Sequence, residues 1–466
     1  MPNPIAYLML FLWPIVCLQF WRRMGPGSAL IWTILGGYLI MPPLTAINLP
    51  ILPDLDKTSI PNLVALVCAV YLLREKISFM PASRVGKILI FLYIAAPIAT
   101  VLANSDPLFY VLNMVPGMKI TDTVSAVLTQ SFALIPFFLA RHFLGTEAGA
   151  KAILLALITA GLLYSVPMLV EARLSPQINV WVYGFFQHDF FQTIRQGGYR
   201  PVVFLPHGLW VAFFALMALM AAVIRLPAAS KDKRPKAMLL VGYLFVMLLV
   251  CKSVGPLVYA VLLTPLIWFA PYRTQAVVAA LLAAIVVTYP ILRGAHLVPV
   301  DQIVDFARSF SDDRAGSLLF RLNNEELLLA RAQERPWFGW GGFGRAFLHD
   351  PITGELSVIA DGAWVILMGS SGWLGYIAEF GLTALPLLAL GREAMAKRGA
   401  LIERHTAGLA LILAANMVDF LPNATGIPFT WLMAGALLGI AEKLRTERFG
   451  SRGLDLSAVR TKRTVI

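Results

Sequence analysis

Apolar runs long enough to cross a bilayer follow one another along nearly the whole chain. They lie near residues 4–21, 28–47, 59–74, 86–103, 120–140, 148–170, 206–227, 237–253, 254–272, 274–292, 363–390, 405–421 and 424–442. A hydrocarbon core of roughly 30 Å takes about 20 helical residues. The pattern therefore predicts an all-α polytopic membrane protein with about 13 transmembrane helices (12–14). One long interval breaks the series. Residues 293–362 carry Asp312, Asp313, Arg314, Arg321, Glu325, Glu326, Arg331, Glu334, Arg335 and Arg345, then the Gly/aromatic string Pro336 to Gly344. A second polar interval, 172–205, is rich in aromatics and holds His188, Arg195 and Arg200. Inside the large interval, Leu318, Leu319, Leu322, Leu327, Leu328, Leu329 and Ala332 recur at near-helical spacing. That spacing predicts an amphipathic helix over 315–335, ended by Pro336, lying on the membrane surface over a cavity in the bundle.

Composition agrees with the pattern. Only 14% of residues are charged and 58% are hydrophobic, and the mean hydropathy is +0.74. Soluble domains carry about 25% charged residues. The first segment has no charged leader and no small-residue cleavage site, so it reads as a retained helix. Cys17, Cys68 and Cys251 fall in separate apolar runs, which gives neither a disulfide framework nor a metal spacing. No internal repeat is visible. Residues 1–442 read as a single transmembrane bundle, and 443–466 as a basic, disordered cytoplasmic tail.

The net charge of +12 points at nucleic acid until its distribution is drawn. With the N-terminus outside, the inner loops and the tail hold 25 of the 38 Lys/Arg but only 8 of the 26 Asp/Glu. An excess of Lys and Arg marks the cytoplasmic side. The basic character is thus topogenic, it favours anionic inner-leaflet lipid, and it excludes a nucleic-acid reading. The same threading puts loops 172–205 and 293–362 outside.

An external loop of this kind suits a lipid-linked diphosphate presented at the interface. Stabilising such a leaving group needs fixed positive charge, and arginine offers phosphate a planar fork. The outward face holds Arg200, Lys252 in the hairpin Cys251 to Pro256, and Arg314, Arg321 and Arg345. Asp361, where the large loop re-enters the membrane, is placed to accept a proton from an attacking hydroxyl.

These residues resemble the O-antigen ligase and polysaccharide polymerase family over roughly residues 195–385. The likeness rests on Arg321, then Pro336 fifteen residues later and Gly-Trp-Gly-Gly-Phe-Gly, then Asp361, ten residues, and Gly372 at the head of the next helix. A further arginine of that family's preceding loop is matched by Arg200 in Gly-Tyr-Arg-Pro-Val-Val-Phe-Leu-Pro-His207. The resemblance implies a metal-independent, cofactor-free, inverting glycosyltransferase of the GT-C type in a bacterial inner membrane. Its donor would be an undecaprenyl-diphosphate-linked glycan at the periplasmic face, its acceptor a glycan, with chain-length regulators or export proteins as partners. Arg200, Arg321 and Asp361 would be catalytic, and Lys252, His207, Arg314, Arg345 and Gly341 would contact substrate. Asp361 stands where the ligase motif has His, and Arg321 is followed four residues on by Glu325 instead of Leu. Both departures favour a polymerase of exopolysaccharide or O-antigen repeat units over a ligase to lipid A-core.

Each residue has a plainer reading as well. Arg200 and Arg321 are arginines that snorkel to the interface, or functional groups whose burial is otherwise costly. Asp361 is a helix cap or a base. His207 is a cap or core histidine, or a hydroxyl contact. Lys252 is a solvated hairpin lysine, and Arg314 and Arg345 make loop ion pairs. The Gly string, with Gly341 near its middle, is a tight turn anchored by interfacial aromatics that also shapes a sugar-stacking surface. Glu379 and Asp419 are intramembrane carboxylates, functional suspects by position. Asp54 and Asp56 form the one acidic pair resembling a metal site, without a third ligand. A transporter or flippase remains the rival class, and a non-catalytic member of an export assembly a third.

Overall fold

A computed structural model describes the backbone of residues 1–309, 312–396 and 401–461, and their side chains except at 313, 314 and 449–461. The described chain is mostly helical. It begins with α1 (Pro4–Arg23), α2 (Pro26–Ile40), α3 (Ser59–Val67, continued by a π-turn over Cys68–Leu72) and α4 (Arg84–Leu102). There follow α5 (Ile120–Ala133), α6 (Ile135–Phe143), α7 (Glu147–Leu174) and the short α8 (Ile178–Tyr183). Next come α9 (Gly208–Arg225), α10 (Arg234–Val250), α11 (Val254–Phe269) and α12 (Tyr272–Gly294). The large interval contains α13 (Val300–Arg308) and α14 (Asp312–Gln333), and the chain ends with α15 (Ala363–Met395), α16 (Arg404–Asp419) and α17 (Pro428–Thr461). Three two-stranded ribbons sit in the loops: β1 (Ala46–Ile47) with β2 (Leu55–Asp56), β3 (Leu108–Phe109) with β4 (Met114–Val115), and β5 (Ile194–Arg195) with β6 (Gly198–Tyr199).

Helices lie on every predicted apolar run. Among the described residues seven are long and apolar enough to cross a membrane: α1, α4, Ile120–Phe143, α7, Gly208–Ala228, α12 and α15. That marks the chain as a membrane protein by length and composition. α9 is buried along its length, against α7, α10, α11 and α16. α15 is the second hub, packed on α12, α4 and α17. Small residues set the closest approaches. A Cβ at Gly435 would overlap the Phe137 carbonyl, and one at Gly439 the Arg141 carbonyl, so α17 rests directly on α6. Small residues four apart allow this contact where lipid removes the hydrophobic drive between helices.

The predicted amphipathic helix is α14, ending before Pro336 as expected. The last helix, α17, is described as far as Thr461, and residues 462–466 lie outside the described residues. Gly372, at φ 62° and ψ −165°, stands where α15 is broken in two, at the head of its second half. The Gly/aromatic string fills that break. Trp340 and Gly341 N–H donate to the carbonyls of Gly369 and Ser370 at 2.8 and 2.9 Å, and Trp373 and Leu374 N–H to those of Pro336 and Trp337 at 2.7 and 3.2 Å. A Cβ at Gly372 would collide with the Trp337 backbone, so glycine is required twice over, by φ and by contact.

Candidate active site

α14 presents Arg321 to the segment that leads into α15. Its Nε lies 3.3 Å from Asp361 Oδ2, both side chains being about a third exposed (34% and 35%), and its Nη1 donates to Asn423 Oδ1 at 3.4 Å. Gly362 is the N-cap of α15 and no side chain caps that end. The capping reading of Asp361 is thereby removed, and its carboxylate faces Arg321 instead. Asn423 is itself held, its Nδ2 donating to the buried Asp419 at 3.0 Å, while Thr425 Oγ1 donates to the other Asp419 oxygen at 2.7 Å. Asp419, flagged from sequence as an intramembrane carboxylate, thus anchors the loop beneath Arg321.

One turn on from Arg321, Glu325 pins α14 to the bundle. It accepts from Arg293 Nε at 2.9 Å, from Trp364 Nε1 at 3.2 Å and from the Tyr289 hydroxyl at 3.3 Å. A leucine there would forfeit all three bonds. Glu325 rather than leucine at this position has this local reason.

Arg200 reaches the site from the other polar interval. It is 5% exposed, and it donates from Nε to the Cys251 carbonyl at 3.3 Å and from Nη2 to Ser253 Oγ. A Cβ at Gly208 would overlap its Cδ, so the first residue of α9 leaves the passage for this side chain. Burial first, then repulsion from Arg195 and Arg321, pulls the Arg200 guanidinium down to about 10. It remains charged at neutral pH. Lys252, at φ 48°, donates to the Arg195 carbonyl at 2.9 Å and so ties the β5–β6 ribbon to the α10–α11 turn.

His207 directly precedes α9 and caps it, its Nδ1 accepting the Leu209 N–H at 3.1 Å. That bond leaves the proton on Nε2. Its ring lies 4.4 Å from that of His188. Burial, then Arg200, His188, Arg195 and Arg321, holds His207 down to about 3, so it is a neutral N–H donor. The sign for stability follows. Unfolded His207 takes up a proton below about 6.5 while the folded ring does not, so acidification favours unfolding by up to about 1.4 kcal/mol per pH unit between 6.5 and 3. His207→Asn keeps a capping oxygen. Between pH 6.5 and 5 the melting temperature of the wild type should fall by several degrees more than that of the variant; equal slopes would place an imidazolium in the folded protein.

Arg200, His207 and Arg321 therefore share one electrostatic neighbourhood, with Asp361 paired to Arg321 and Lys252 tied in only through the Arg195 carbonyl; Arg195, His188 and Asn423 join it, which the sequence did not single out as site residues. Arg345 and Gly341 are placed elsewhere. Arg345 is fully buried and donates to the Trp340 and Pro116 carbonyls at 3.1 and 3.0 Å. With Arg331 and Arg335 stacked on Trp340 at 3.4 and 4.3 Å, it fastens the Gly string to the α4–α5 connection. Ten helical residues, about 15 Å, separate Arg331 from Arg321. Gly341 packs under Met118, where a Cβ would overlap the sulfur. The Arg314 side chain lies outside the described residues. Asp56 spends its carboxylate on the Thr58 and Ser59 N–H groups, both at 2.8 Å, at the start of α3, and Asp54 accepts from Asn48 at 2.7 Å.

No protein-family model matches the chain, and no curated protein matches it. The chemistry must be read from the site alone. Among the described residues, Arg195, Arg200 and Arg321 outnumber the one carboxylate in an ion pair with them, so their field suits a multiply charged oxyanion. Asp361, about a third exposed and held by Arg321, suits a proton acceptor. The neutral His207 lacks a free lone pair on Nδ1 and can only donate.

Proposed function

We propose that the chain is a GT-C-like membrane glycosyltransferase of about 13 spans that polymerises undecaprenyl-diphosphate-linked repeat units of an exopolysaccharide or O-antigen. What supports this reading is that Arg321, 3.3 Å from Asp361, is near enough to the buried Arg200, 121 positions away in sequence, for the two charges to repel. Those are three of the positions on which the resemblance to the O-antigen ligase and polysaccharide polymerase family rests. In the proposed reaction the donor enters laterally from the bilayer at the periplasmic face of a bacterial inner membrane. Arg200 and Arg321 hold its diphosphate. An acceptor hydroxyl attacks the anomeric carbon from the opposite side, its proton passes to Asp361, and the bond to the diphosphate oxygen breaks with inversion. Negative charge grows on the leaving diphosphate, where the guanidiniums are already fixed and need no reorganisation. They supply the positive charge that a divalent ion supplies in other glycosyltransferases, so the reaction proceeds without one.

The test is to incubate the purified protein in nanodiscs with extracted undecaprenyl-diphosphate oligosaccharide, with and without EDTA, and to size the products. A ladder of longer lipid-linked glycans that survives EDTA is expected. Unchanged glycan length with intact donor and folded protein would overturn the polymerase reading, and a ladder lost on chelation would overturn metal independence.

A further inference from the structure

The backbone between Arg200 and His207 is held by more buried side chains than its length requires. The N–H groups of Val202 and Val203 both donate to Glu171 Oε2, at 2.8 and 2.7 Å, while Oε1 accepts the Ile178 N–H at 3.0 Å. The Phe204 N–H donates to the Tyr164 hydroxyl at 3.1 Å, and its carbonyl accepts from Lys57 Nζ at 2.8 Å. Gln187 Nε2 donates to the carbonyls of Val203 and Leu205, at 2.9 and 3.0 Å. Four consecutive residues thus meet side chains from α7, the α8–α9 connection and the α2–α3 loop. Val203 sits at φ 53°, a left-handed conformation that a β-branched residue resists and that persists only where its surroundings over-determine it.

Glu171 is the centre of this arrangement. It is 1% exposed, lies in the last turn of α7, and has no Lys or Arg partner among the described residues. A buried carboxylate without a cation is costly, and here three backbone N–H groups alone compensate it. Filling space would need no charge, since an apolar side chain of similar volume would serve. What a carboxylate adds is two acceptor oxygens facing two separate stretches of chain, Ile178 on one side and Val202–Val203 on the other. An amide in its place would turn an NH2 towards one of them. The segment so fixed begins two residues after Arg200, whose own N–H donates to the Thr193 carbonyl at 2.9 Å, and ends two residues before His207.

We propose that Glu171 is a positioning residue for the candidate site. It sets the aim of Arg200 and His207 through the backbone between them, without touching substrate. In its ligand this rests on the proposed diphosphate-binding function.

The test uses the purified full chain and its Glu171→Gln, Arg200→Ala and double variants. Phenylglyoxal modification of Arg200 is followed by peptide mass spectrometry, with the fully buried Arg345 as internal reference, and farnesyl diphosphate binding is measured by calorimetry. In Glu171→Gln, Arg200 should react at least about tenfold faster with Arg345 unchanged, because the loop no longer shelters it. Affinity should fall about tenfold, and the double variant should bind no more weakly than Arg200→Ala, since both changes act through one group. Unchanged Arg200 reactivity in a folded Glu171→Gln protein, or losses that add in the double variant, would overturn the proposal. If Glu171→Gln does not fold, Glu171→Asp, which keeps the charge at shorter reach, is read by the same two measurements. Should Arg200→Ala leave farnesyl diphosphate affinity unaltered, the diphosphate reading of the site falls, while the modification rates still decide whether Glu171 holds Arg200.

Discussion

Arg321→Ala is expected to abolish polymer formation while leaving a folded, membrane-inserted protein. Fold and chemistry separate at this residue. α14 is pinned by the Arg293–Glu325 pair and by Trp364, whereas Arg321 is about a third exposed and spends its guanidinium on Asp361 and the edge of Asn423. Exposed pairs of this kind contribute at most about 1 kcal/mol to stability. Losing one preorganised donor to a developing oxyanion costs turnover about 10²–10³-fold, roughly 3–4 kcal/mol at the transition state. Arg321→Lys should recover little, because an ammonium cannot present the planar fork to two phosphate oxygens. The measurement is product sizing beside a melting curve. Normal chain lengths from Arg321→Ala would remove the arginine from the chemistry.

Asp361→Asn should separate binding from turnover. The amide keeps the size of the side chain but cannot take the acceptor's proton, and losing a general base costs about 10²–10⁴-fold. Diphosphate affinity should hold or rise, since Arg321 no longer shares itself with a carboxylate. Asp361→His should regain part of the activity, because an imidazole can accept the proton in the same place and is what the ligase motif carries there. A fall in farnesyl diphosphate affinity matching the fall in turnover would make Asp361 a support for Arg321 instead of a base.

Much of the fold was legible because hydrophobic length maps directly onto helices. The ends were less so, and particular residues show why. The run near 28–47 became α2, which stops at Ile40, because the residue before Pro42 is driven into the extended conformation that Met41 adopts. The break at Gly372 was visible as a glycine but not as a break, since its cause is a string some thirty positions earlier in the chain. At the candidate site, Arg200, Arg321 and Asp361 were singled out by motif order and spacing. Asn423 was out of reach, and Asp419 was visible as an intramembrane carboxylate but not as a support for Arg321, because nothing local says that a loop about a hundred residues on will close over Arg321. The same limit explains Arg345. An arginine in a Gly-rich string has one appearance whether it faces ligand or ties two loops together, and only the partners at Trp340 and Pro116 distinguish the two.

The docking of the Gly string into the broken α15 bears on how such proteins can be recombined. The charged interval 293–362 looks like an insert that evolution or an engineer could exchange between bundles to alter what the candidate site binds. Four of the backbone bonds of α15 nevertheless belong to that interval. A graft ending at Gly362 would bring a foreign string to a native break, and any mismatch would leave backbone groups of α15 without their partners. The exchangeable unit is therefore longer than the loop. It runs on through Leu374, so the interval and the helix it completes are inherited together.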